Sequence, residues 1–174
     1  DHISATWAPW NYGASGGEFA ISYYGSTGTL FTTFCVELNE YFTPGEELVV
    51  RSIGTTIMNN GGKNPIALNP LVAYLYHEFA HNSWNETGIF NYDDPVARKK
   101  DDALLQSAIW LLQYPTQDVN NKFIDYAWKY SKIDGWTGTG DVVVLNLFST
   151  GGGYRQDQLA LVPEPTTMML LGVG

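Results

Sequence analysis

The sequence predicts an α+β fold: an antiparallel β-sandwich or barrel-like sheet with a three-helix segment inserted at about residues 69–132. The first observation behind this is order. Alternating, β-branched and aromatic segments fill both ends of the chain, and helical periodicity fills the middle, which suits a sheet with an insertion better than a doubly wound fold. The second is punctuation, because Asn69-Pro70 and Asp94-Pro95 each place a side-chain acceptor before a proline, a strong helix start. The third is composition: 44% hydrophobic, 14% aromatic and 18 Gly point to a globular chain rich in strands and turns.

The first stretch, to about residue 14, is expected as short strands or an aromatic arm ahead of a single domain that runs to residue 161. Glu18 to Tyr24 and Thr29 to Glu37 flank Gly25-Ser26-Thr27-Gly28 as a hairpin, which puts Cys35 near the end of a central strand. Glu47 to Ile53 follows as another strand, and Asn59 to Pro65 as a loop. A helix is expected from Asn69 to about Asn82, and a second from Asp94 to Gln113 with Leu104, Leu105, Ala108, Ile109 and Leu112 as its apolar stripe. Asp118 to Lys132 forms the third helix, and Asp141 to Phe148 and Gln158 to Val162 close the chain as strands.

Bulk properties restrict the function. A net charge of -9 leaves no basic patch for phosphates, so nucleic acid is not an expected partner. The nearest cationic run, Arg98-Lys99-Lys100, is followed at once by Asp101-Asp102 and reads as a solvated helix face. No run approaches the roughly 20 apolar residues that span a bilayer. The single cysteine excludes an internal disulfide. A start at Asp1 fits a mature chain after removal of a signal peptide, or a trimmed one.

The end of the chain, Val162-Pro163-Glu164-Pro165-Thr166-Thr167-Met168-Met169-Leu170-Leu171-Gly172-Val173-Gly174, resembles the PEP-CTERM sorting signal of exosortase-dependent bacterial proteins. That signal continues into an apolar helix and a basic cluster. Here the apolar run is short and the basic cluster is missing, so residues 162–174 read as a remnant of the signal, with membrane contact only through its complete form. Phe34-Cys35-Val36-Glu37, Ala73-Tyr74-Leu75-Tyr76, Leu105 to Trp110, and Val144 to Leu147 with Gln156 to Leu159 are similar to blocks of an uncharacterised group that carries this signal. The resemblance implies a surface or matrix protein outside a Gram-negative cell, as in a biofilm, after signal-peptide removal.

The Cys35 and Gln106 blocks are also similar to thioester-domain adhesins, in which a strand Cys is joined to the Gln of a Gln-x-Ala-Ile-Trp helix. Carried over, Cys35 supplies the thiol and Gln106 the acyl group. Loss of ammonia stores an activated acyl that an amine on a target can attack. Phe34 and Trp110 would keep the bond dry, and Gln106, Trp110 and Gln113 share a helix face by spacing. The plainer reading makes Cys35 a small buried hydrophobe and Gln106 a hydrogen-bonded helix residue.

His77-Glu78-Phe79-Ala80-His81 fits the H-E-x-x-H pattern, in which two histidines on one helix face hold zinc and the glutamate acts as base. No spacing selects a third ligand among Asp93, Asp94, Asp101 and Asp102. The acidic loop Asn91-Tyr92-Asp93-Asp94 with Asp101-Asp102 offers oxygen ligands for Ca²⁺, although its spacing is not that of an EF-hand. Ile3 to Tyr12 and Leu159 to Gly174 are candidate intersubunit strands for a self-assembling filament or matrix. The expectation is therefore a non-enzymatic adhesive or structural protein without a resident cofactor. Its partners would be copies of itself or extracellular surface components. A zinc protease is the remaining alternative.

Overall fold

The computed structural model describes residues 2–9, 16–116 and 120–162. Six strands form one antiparallel sheet: β1 (His2–Trp7), β2 (Phe19–Tyr23), β3 (Phe31–Thr33), β4 (Leu48–Gly54), β7 (Val142–Ser149) and β8 (Tyr154–Leu161). Their order is β3-β2-β1-β4-β7-β8. A small hairpin, β5 (Thr56–Ile57) and β6 (Ile66–Ala67), leads into α1 (Pro70–Ala80), α2 (Pro95–Gln113) and α3 (Lys122–Ile133). The predicted α+β class and the helical insertion are both observed, and the insertion lies between the neighbouring strands β4 and β7.

Alternation explains the layers. Val142 and Val144 of β7 pair with Leu161 and Leu159 of β8 and join the core beneath the helices. Leu145 and Leu147 project the other way, with Ile3, Ala5, Ile21, Leu48 and Ala160. The helical layer is held by aromatic packing, since Trp84 is fully buried against Phe123 at 5.2 Å and Tyr126 at 5.6 Å between ring centroids. Each helix begins as its local chemistry dictates: Asn69 accepts from the Leu71 N–H, and Asp94 from those of Val96 and Ala97. The third helix starts at Lys122 behind the cap Asn121, later than Asp118, because Asn121 supplies the acceptor for the Phe123 N–H.

Of the short strands or aromatic arm expected for the first stretch, His2–Trp7 is a strand inside the sheet between β2 and β4, because Ile3 and Ala5 alternate into the core. Leu159–Leu161 belongs to the chain's own sheet, as expected for the closing strand Gln158 to Val162, so neither described stretch is a free intersubunit strand. The Cys35 strand is not central: β3 is a sheet edge, and Cys35 lies beyond it in a single bridge to Gln158 of β8. That bridge brings the two ends of the sheet together, flanked by Leu159 N–H to Phe34 O at 3.2 Å and Val36 N–H to Asp157 O at 3.1 Å. Pro163, Glu164 and Pro165 lie outside the described residues.

Candidate functional site

The side-chain amide of Gln106, on α2, meets the backbone of Cys35 across 71 residues of sequence. Gln106 Nε2 donates to the Cys35 carbonyl at 2.7 Å, and the Cys35 N–H donates to Gln106 Oε1 at 3.1 Å. A second backbone donor, the Gly17 N–H, reaches the same Oε1 at 3.2 Å. Both residues are 1% exposed. Two backbone N–H groups on one buried carbonyl oxygen polarise its carbon, as the donors of an oxyanion hole do.

The Cys35 thiol has its own partner. Gln158 Nε2 donates to Cys35 Sγ at 3.1 Å, as expected for directly opposed residues of an antiparallel bridge. Burial pushes the thiol up to about 12, the Gln158 hydrogen bond only partly offsets this, and the nearby Glu37 adds to it. At neutral pH Cys35 is therefore a protonated thiol, not a freely reactive thiolate.

Beside the thiol runs a buried polar seam. Gln156 Nε2 donates to Glu37 O at 2.7 Å, and the Asp157 N–H donates to Glu37 Oε2 at 2.6 Å. Asp157 in turn accepts from Asn146 Nδ2, the Leu147 N–H and the Met58 N–H. Asn146 sits where the β7–β8 register shifts between Leu145 and Leu147, which frees its side chain for this role. Burial, with Asp157 nearby, lifts the Glu37 carboxyl to about 8, and burial lifts Asp157 to about 6.

The segment that carries Gly17 is fixed by charge. Arg98 grips Glu18 with two hydrogen bonds, at 2.9 and 2.7 Å, and donates to Tyr92 O at 2.8 Å. Glu18 is fully buried. Arg98 thus departs from the solvated face expected for Arg98-Lys99-Lys100, because α2 turns this position toward the sheet. Burial, and then the Glu18 charge, raise the Asp102 carboxyl well above its usual range, against the pull of Arg98.

Gly16 decides how closely this segment approaches. Its φ is +84°, and a Cβ there would lie 2.6 Å from Trp110 Cη2 and 2.7 Å from Gln106 Cγ. Gly16→Ala is expected to cost about 1–3 kcal/mol from backbone strain alone, read in urea unfolding. An unchanged midpoint would show that the segment can move away from Gln106. Trp7, Phe19, Tyr41, Phe42 and Trp110 line a cavity of about 410 Å³ that also reaches Gly16 and Gln156.

Of the expected surroundings of a thioester, Trp110 is in place and two residues are not. Phe34 packs edge-on against Phe79 at 5.0 Å, because alternation sends it to the helical core while Cys35 faces the other side. Gln113 is two turns along α2 from Gln106 and caps the start of α1, accepting from the Asn69 N–H at 2.8 Å and donating to Ala67 O at 3.0 Å. Gly17, Gln158 and the Glu37–Asp157 seam are additions that the sequence reading missed. Three successive polar residues in a strand, Gln156-Asp157-Gln158, were the available signal.

The H-E-x-x-H residues separate. His77 Nδ1 lies 2.7 Å from Asp141 Oδ1 and His81 Nε2 lies 2.8 Å from Asp141 Oδ2, whereas Glu78 accepts from the Tyr126 hydroxyl at 3.0 Å. The acid beside the histidines is thus Asp141, not Asp93, Asp94, Asp101 or Asp102. In the acidic loop, Asn91 Oδ1 accepts from the Asp93 and Asp94 N–H groups, Asp94 caps α2, and Asp101 holds the Asn91 N–H and Lys122. These oxygens of Asn91, Asp94 and Asp101 accept from local donors, and among the described residues only His77, His81 and Asp141 converge as a metal-ligating group.

Comparison with known proteins returns no family model, no curated protein and no solved structure that matches this chain.

Proposed function

We propose that this chain is a cell-surface or matrix protein of adhesive type that stores an internal thioester between Cys35 and Gln106. The supporting observation is the docking of the Gln106 amide on Cys35 with Oε1 held by the N–H groups of Cys35 and Gly17. In the bond-forming step, Cys35 Sγ adds to Gln106 Cδ while Oε1 draws on its two donors. The C–N bond then breaks and the nitrogen leaves as ammonia with the thiol proton. Burial keeps water from the product. A primary amine presented by a target reverses the storage: its nitrogen bonds to Cδ, Sγ leaves, and the thiol regains a proton. The extracellular setting rests on the resemblance of residues 162–174 and of the Cys35 and Gln106 blocks.

The test is the intact mass of native, unreduced protein before and after methylamine. The expected mass is short by one ammonia, and methylamine adds to Gln106 and exposes a thiol that alkylates. Cys35→Ala shows neither change. A full mass, with Cys35 alkylating after denaturation alone, would overturn the reading and leave Gln106 as a structural clasp on the strand.

A further inference from the structure

Away from Cys35, the structure assigns a divalent transition-metal site to His77, His81 and Asp141. The two histidines lie four residues apart on α1, so their rings share a face, with centroids 4.4 Å apart. Asp141 is the residue just before β7, and its two carboxylate oxygens face one ring nitrogen each. The three candidate ligand atoms all lie within 4.8 Å of one another. Ligand atoms around a tetrahedral zinc ion are roughly 3.4 Å apart, so modest side-chain rotation closes the set.

The donor set selects the ion. Two imidazoles and one carboxylate suit Zn²⁺, Co²⁺, Ni²⁺ or Cu²⁺ and disfavour Ca²⁺ and Mg²⁺, which take oxygen. All three side chains are part-exposed, at 28%, 45% and 37%, so an ion reaches them without opening the fold. Trp136 packs against His77 at 4.8 Å with the two rings tilted by 51°, and donates through Nε1 to Pro70 O, which holds it against the helix. Glu78 is engaged by Tyr126, so the site is a binding and cross-linking one. It joins the end of α1 to the residue where the helical insertion returns to the sheet. Bound metal therefore ties both sides of the insertion and raises the Tm as its concentration rises.

The experiment is a Co²⁺ titration of the purified chain, followed by its visible absorption, with Zn²⁺ and Ca²⁺ as competitors and a melting curve at each metal level. One saturating equivalent is expected, displaced by Zn²⁺ and not by Ca²⁺, with a Tm that climbs with metal. Asp141→Asn and His81→Ala should each weaken binding about tenfold or more. His2→Ala, on the separate His2–Glu47 pair, should leave it unchanged. Metal-free melting curves of the variants check that they fold. Absence of saturable binding by the native chain, equal displacement by Ca²⁺, or unchanged affinity in folded His81→Ala would each overturn the assignment.

Discussion

Arg98→Ala is expected to lower the unfolding free energy by about 3–5 kcal/mol, the range for breaking a buried ion pair from one side. Glu18 is fully buried and Arg98 only 12% exposed, so water cannot replace the guanidinium at either oxygen. The variant leaves a buried carboxylate beside Asp102 without its two strong donors. Replacing both partners by apolar or neutral groups of similar size, as in Glu18→Gln with Arg98→Met, should restore much of the loss, because the desolvated charge is then gone. Urea midpoints of the two variants and the native chain decide it. A loss below about 1 kcal/mol would place the pair with ordinary surface salt bridges. The same variant bears on the site, because Glu18 follows Gly17 and its grip aims the Gly17 N–H at Gln106.

Stability is expected to fall as pH rises from about 5 to about 9, by at least about 3 kcal/mol. Glu37 is lifted to about 8 from 4.5, Asp157 to about 6 from 3.8, and Asp102 is lifted too, chiefly by burial in all three. A carboxyl lifted in the folded state holds its proton there after the unfolded chain has lost it. Between the unfolded and folded values the native state thus binds more protons, and the slope of stability with pH is negative. The favourable contribution is complete below about pH 4 and is lost as pH climbs through 6 and 8. Glu37→Gln, which stays neutral, should remove only its own share of the slope, with Asp102 and Asp157 keeping the rest. A urea midpoint that rises between those pH values would contradict this account.

The parts of the fold set by neighbours in sequence were legible. Asn69-Pro70 and Asp94-Pro95 start helices where read, because a cap acceptor and a fixed φ act within one turn. Gly25-Ser26-Thr27-Gly28 separates β2 from β3 for the same local reason. The juxtaposition of Cys35 and Gln106 was legible only through resemblance, since no periodicity links residues on a strand edge and a helix.

The sequence by itself determined the α+β class, the helical insertion and the acidic character. Tertiary structure alone decided what surrounds Cys35 and Gln106. Gln158 comes opposite Cys35 because the far edge of the sheet returns to that point, and Asn146 turns into the seam because it sits at the register shift between Leu145 and Leu147. Asp141 meets His77 and His81 across 64 and 60 residues, and Arg98 meets Glu18 across 80. Such pairs are fixed by strand register and helix docking. These depend on burying a whole core at once, so no single stretch of sequence encodes them.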